Sequence, residues 1–136
     1  MKKFKVSLFL ILILIISNVA SAFAASTPQI AKSTGGYIYY YMGSMTKAYV
    51  YSKIDRPMTA QGPKYQSEMS YTYYDPDEGR NHNSMTPTPL VSSGVSEGKQ
   101  SPPSGCNMVS CTNKYFFNNQ EDPSFRIELT PNAVKY

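Results

Sequence analysis

Tyrosine has to supply most of the large side chains with which this chain can build a core. The sequence contains 12 tyrosines, all after residue 24, whereas Leu, Ile, Val and Phe together number only 14 in that stretch. So few aliphatic residues are typical of disordered chains when net charge is high. Here ten basic and nine acidic residues follow residue 24, so the net charge is only +1. Because a tyrosine ring can be buried while its hydroxyl finds a partner, we expect a folded chain with a tyrosine-based core.

Residues 1–24 have the features of a secretory signal peptide. Three lysines lie within the first five residues, an apolar run follows over residues 6–16, and small residues occur at Ala20, Ala22 and Ala24. The alternative, an uncleaved membrane anchor, is disfavoured because the run is shorter than the ~20 apolar residues of a membrane span. We predict cleavage after Ala22 or Ala24. The product would be secreted by a bacterial cell, and would be extracellular or associated with the cell wall.

Removal of the leader changes the length and net charge of the chain, and this narrows the classes of function that the sequence allows. Residues 25–136 are enough for one domain. The whole-chain net charge of +4 falls to +1, which leaves no basic surface of the kind that nucleic-acid binding requires. No second apolar run indicates stable membrane insertion after cleavage. No motif indicates a catalytic residue or a cofactor, so we predict a protein that is not an enzyme and that needs no cofactor.

The rest of the sequence predicts strands. Residues 25–36 are small and polar and predict a flexible N-terminal arm, followed by a single β domain over residues 37–136. The prolines and glycines of residues 75–113 predict a long exposed loop. We therefore expect an all-β fold, either a small antiparallel sheet or a β-sandwich, with four to six short strands.

A hairpin is predicted for residues 37–54, with Gly43 and Ser44 as a two-residue turn that places Tyr40 opposite Lys47. Because strand side chains alternate between faces, Tyr39, Tyr41, Val50 and Ile54 share one face. The opposite face carries lysines and is expected to meet water, where exposed tyrosine rings favour ligand binding. In the alternative, a second layer covers these rings and they belong to the core. The predicted ligand-binding residues are Tyr40, Lys47, Tyr49, Tyr51 and Lys53.

Cys106 and Cys111 are predicted to form a disulfide, since paired cysteines of secreted chains are usually oxidised. A metal site is disfavoured because two thiols and the single histidine, His82, do not fill a tetrahedral shell without a carboxylate. A redox pair would prefer the Cys-x-x-Cys spacing. The oxygen-rich residues 75–83 could hold calcium, but their spacing departs from the EF-hand pattern, so we interpret them as a solvated turn and predict no metal.

Taken together, these patterns predict a secreted, non-enzymatic β-rich protein that binds an extracellular or cell-envelope partner through a tyrosine-rich surface. The expected partner is an extracellular protein or a cell-wall polymer. One alternative is a bacteriocin-like antibacterial toxin. Another is an inhibitor of a secreted enzyme that presents the Cys106–Cys111 loop behind two prolines, because a rigid loop loses little entropy on binding.

Overall fold

The computed structural model of the chain describes residues 25–26, 30–58 and 62–131, so the predicted signal peptide and its cleavage sites lie outside the described residues. The all-β prediction is confirmed. A three-residue 3-10 helix, Pro123–Phe125, is the only helix in these ranges. The strands are β1 (Ala25–Ser26), β2 (Ile30–Thr34), β3 (Tyr37–Met45), β4 (Val50–Arg56), β5 (Tyr65–Asp75), β6 (Arg80–Pro87), β7 (Gly94–Gln100), β8 (Asn107–Phe117), β9 (Gln120–Glu121) and β10 (Ile127–Leu129). These ten strands exceed the expected four to six, partly because three of them have only two or three residues.

The strands form two antiparallel sheets. In the first sheet the order is β1, β3, β4 and β7, with β2 also paired to β3. In the second sheet the order is β10, β8, β5 and β6, with β9 also paired to β8. The inner faces of the two sheets share one core, so the fold is a β-sandwich.

Tyrosine is the main aromatic component of this core. The rings of Tyr41 and Tyr115, which come from opposite sheets, meet edge to face with centroids 4.9 Å apart. Tyr41 also stacks on Phe125 at 4.2 Å. The Tyr115 hydroxyl donates a hydrogen bond of 3.1 Å to the carbonyl oxygen of Met42, so a buried ring keeps its polar end paired. The buried core residues are Tyr39, Tyr41, Met45, Val50, Ile54, Tyr65, Met69, Tyr71, Met108, Cys111, Tyr115, Ile127 and Leu129.

The predicted turn at Gly43 and Ser44 is wrong, because both residues lie inside β3. The chain turns at residues 46–49 instead, where Thr46 N–H donates to the carbonyl of Tyr49. Gly43 serves a close approach between sheets, since a Cβ at this position would overlap the side chain of Asn113. The partner of Tyr40 is therefore Asp55. The observed partner, Asp55, and the predicted partner, Lys47, are an even number of residues apart. Each β3 side chain therefore lies on its predicted face of the sheet.

The described residues of the segment expected to be a flexible N-terminal arm belong to the first sheet or to the turn after β2. β1 and β2 both pair with β3, and Gly35 and Gly36 form the tight turn between β2 and β3 with φ values of 59° and 85°. Lys32 of β2 forms an ion pair of 2.6 Å with Asp122, next to the second sheet. The small polar residues fit an edge strand, where side chains need little burial, so their composition does not indicate a linker.

The predicted long loop over residues 75–113 is also corrected. It contains β6, β7 and the beginning of β8, and each of these strands pairs with a neighbour over several residues. β6 has no fully buried residue, so it lacks the apolar pattern by which a strand is recognised from sequence. Pro87 ends β6, and two prolines separate β7 from β8, which are positions that a sheet tolerates.

Arg56, the last residue of β4, is completely buried. Its guanidinium carbon lies 5.2 Å from the ring centroid of Tyr37, 5.8 Å from that of Tyr39 and 5.1 Å from that of Tyr65. Nη1 donates to the Tyr39 hydroxyl at 3.5 Å. Within the described residues, Nε and Nη2 have no hydrogen-bond partner and no carboxylate forms an ion pair with Arg56. In this part of the chain the cation is therefore held mainly by the faces of tyrosine rings.

Candidate functional site

The first candidate site is the outer face of the first sheet, on the side of β3, β4 and β7 away from the core. Tyr40 is 39% exposed there, between Ala31 of β2 and Asp55 of β4. Tyr51 and Lys53 are half-buried on β4. Lys47 is exposed and Tyr49 half-buried in the turn between β3 and β4. The structure thus leaves all five predicted ligand-binding residues outside the core.

The charges of this outer face are largely paired. The Tyr51 hydroxyl donates to Oε2 of Glu97 at 2.8 Å, and Lys53 Nζ lies 3.4 Å from Oδ2 of Asp55. Lys99 Nζ lies 4.0 Å from the ring centroid of Tyr49. Burial, followed by the hydrogen bond to Glu97, raises the pKa of Tyr51 to about 12. Lys53 therefore belongs to an ion pair and Lys99 lies over a tyrosine ring, while Asp55 and Glu97 offset part of the positive charge of this face.

An apolar patch lies at one end of this face. Ile38 is 47% exposed and Val95 is 43% exposed, and Tyr40 lies with Val95 on either side of Asp55 in the strand register. We call Ile38, Tyr40 and Val95 the outer patch. Ile38 lies on the same face of β3 as Tyr40, as strand alternation requires, whereas Val95 belongs to a strand within the predicted loop.

The second candidate site is a shallow depression of about 390 Å³ on the outer face of the second sheet. Its floor is rich in short polar side chains, and the Thr72 hydroxyl donates to Oδ1 of Asn83 at 2.8 Å. No sequence motif indicated it, because its residues come from three strands. The outward-facing lining residues are Ser70, Thr72, Asn83, Met85, Ser110 and Thr112.

The third candidate site lies at the turn between β5 and β6, within the oxygen-rich residues 75–83. One donor atom from each of Asp75, Glu78 and His82 lies within 4.8 Å of the other two. Oδ1 of Asp75 accepts hydrogen bonds from the backbone N–H groups of Asp77 and Glu78, which fixes this carboxylate in the turn. The His82 ring stacks on Tyr73, with centroids 5.3 Å apart. The turn is therefore exposed, as expected, but it also groups three metal-ligating side chains.

The predicted disulfide between Cys106 and Cys111 is not formed, and both cysteines are free. Cys111 lies in β8 and points into the core, whereas Cys106 directly precedes that strand. Five residues of extended chain span about 16 Å, far more than the roughly 4.4–6.8 Å between the Cα atoms of a disulfide. Burial also raises the pKa of Cys111 to about 12, which is typical of an unreactive structural thiol.

No protein-family model, no curated protein and no solved structure matches the chain. Within the part of the chain that the structure describes, no helix has the length and apolar character needed to cross a membrane.

Proposed function

We propose that the protein is a secreted, non-enzymatic binding protein that recognises an extracellular protein through the outer face of its first sheet. The observation that carries this proposal is the outer patch. It presents a tyrosine, an isoleucine and a valine to solvent, although aliphatic residues are scarce after residue 24 and are needed for the core. An aromatic anchor with aliphatic neighbours is the usual composition of the centre of a protein interface.

The pairing of charges around the outer patch favours a protein over an anionic wall polymer. Capture of such a polymer depends on cations that are not already neutralised, whereas Lys53 is paired with Asp55 on this face. Tyr51 and Glu97 form a second polar pair beside the patch. The outer patch thus combines a tyrosine and two aliphatic side chains with adjacent polar pairs, and protein interfaces commonly have this mixed composition.

The two alternative functions use other features of the molecule. An inhibitor would present the loop before β8, but the disulfide that would make this loop rigid is not formed. A bacteriocin-like toxin is tested by adding the purified protein to growing bacteria related to the producer. Growth arrest at low concentration would favour the toxin.

Binding of the purified secreted protein to intact producer cells tests the proposal. Tyr40→Ala should weaken binding by about 10–100-fold, because truncation of a central aromatic residue typically costs a protein interface 2 kcal/mol or more. Tyr74→Ala is the matched control, since Tyr74 is 40% exposed on the second sheet and Tyr40 is 39% exposed on the first. The control should bind like the parent protein, and both variants should unfold at the same temperature.

Protease treatment of the cells distinguishes the two kinds of partner. We expect treated cells, and isolated walls freed of protein, to lose binding. Undiminished binding to protein-free walls, or equal losses in the two tyrosine variants, would contradict recognition of a protein through the outer patch.

A further inference from the structure

Three side chains with metal-ligating atoms, those of Asp75, Glu78 and His82, come within 4.8 Å of one another at the turn between β5 and β6, and a cysteine lies next to them in the strand register. Asp75 ends β5 and Glu78 follows in the turn, while His82 of β6 is paired in register with Tyr73. Asn107 of β8 pairs with Tyr74, so Cys106 comes next to Asp75 across the same ladder. Strand pairing thus supplies a thiol and an imidazole beside two carboxylates.

In this cluster, the imidazole of His82 has a ring nitrogen that lacks a hydrogen-bond partner within the described residues. This atom, Nε2, is buried, and Oε2 of Glu78 lies 3.3 Å away from it. Stacking on Tyr73 holds the ring in place. A buried ring nitrogen that faces a carboxylate without hydrogen-bonding to it is placed as a metal ligand would be.

We propose that Asp75, Glu78, His82 and Cys106 form a zinc-binding site. A nitrogen, a sulfur and two oxygen donors complete the four positions of a tetrahedral Zn²⁺ centre. Ca²⁺ prefers an all-oxygen shell of six to eight ligands, so a thiol and an imidazole select against it. The site is independent of the outer patch, which lies on the other sheet.

Arg80 competes with a bound metal for Glu78, because its Nη2 lies 2.6 Å from Oε2 of Glu78. Its side chain is 68% exposed, so it has room to swing away.

Calorimetric titration of the purified, chelator-treated protein with ZnCl₂ tests the site. We expect one Zn²⁺ per chain and a rise in the unfolding temperature with zinc, because the metal binds the folded state. His82→Ala should weaken binding by at least about 100-fold, since even outer partners of metal ligands contribute 10–100-fold. Asp77→Asn removes a charge from the same turn without removing a ligand, and should bind zinc nearly as the parent protein does. Arg80→Ala should bind more tightly.

Titration with Co²⁺ examines the thiol separately. A sulfur-to-cobalt charge-transfer band should be present in the parent protein and in Asp77→Asn, and absent in Cys106→Ser. Unchanged zinc affinity in His82→Ala would overturn the proposal, as would a cobalt complex without the sulfur band. Equal losses in His82→Ala and Asp77→Asn would also overturn it, because they would indicate adventitious binding to turn charges.

Discussion

Replacement of Gly43 by alanine is expected to lower the free energy of unfolding by about 2–4 kcal/mol, from overpacking together with loss of a buried hydrogen bond. A Cβ at this position would overlap the Asn113 side chain. Asn113 cannot withdraw freely, because Nδ2 donates to the carbonyl of Tyr51 at 3.1 Å and Oδ1 accepts from Sγ of Cys111 at 3.1 Å. Urea denaturation measures the change.

A double-mutant cycle separates this contact from the general cost of altering β3. In an Asn113→Ala background the side chain that opposes residue 43 is shortened, so Gly43→Ala should lose most of its effect. Ser44→Ala, the next position along β3, should change the free energy of unfolding by no more than about 0.5 kcal/mol. Additive effects of the Gly43 and Asn113 substitutions would show that Gly43 does not serve the approach of the two sheets.

Arg56→Ala is expected to destabilise the protein by about 3 kcal/mol, because it removes a large buried side chain from the tyrosine cluster and leaves a cavity. Two effects oppose each other at this position. Cation–π contacts with Tyr37, Tyr39 and Tyr65 stabilise the guanidinium. Its burial destabilises it, as do Nε and Nη2, which have no hydrogen-bond partner among the described residues.

Arg56→Met separates these effects, since methionine occupies much of the same space without a charge. We expect it to cost about 1 kcal/mol or less, because the relief of charge burial offsets the lost cation–π contacts. Chemical denaturation of the two variants side by side gives the comparison. If Arg56→Met were as destabilising as Arg56→Ala, the ring contacts of the cation would outweigh its desolvation, contrary to our interpretation.

Strand alternation could be predicted because it is local. Tyr39 and Tyr41 point into the core while Tyr40 points out, as a period of two requires. The assignment of side chains to faces is correct although the turn was predicted at the wrong residues, because the error in strand register is an even number of residues. The role of Gly43 could not be predicted, because the side chain that excludes a Cβ there comes from Asn113, far along the chain.

Two of the missed strands, β2 and β6, share a different cause. β2 and β6 contain no fully buried side chain, so neither segment has the apolar pattern that identifies a half-buried strand. Their polar residues were interpreted as an arm and a loop. The grouping of Cys106 with Asp75 depends on the pairing of β5 with β8. The spacing of these two residues in the sequence does not indicate that pairing. The sequence alone indicated that a histidine and two thiols would need carboxylates to complete a metal site. The fold brings the carboxylates of Asp75 and Glu78 close to His82.

Nitration of the folded protein, with the modified tyrosines located by mass spectrometry, tests most directly the division of tyrosines between core and surface. Among the tyrosines of the described residues, Tyr40 and Tyr74 should react first, because they are the exposed ones. Tyr39, Tyr41, Tyr65 and Tyr115 are fully buried and should react only after denaturation. Equal rates at Tyr40 and its neighbour Tyr41 would contradict both the core and the binding face described above.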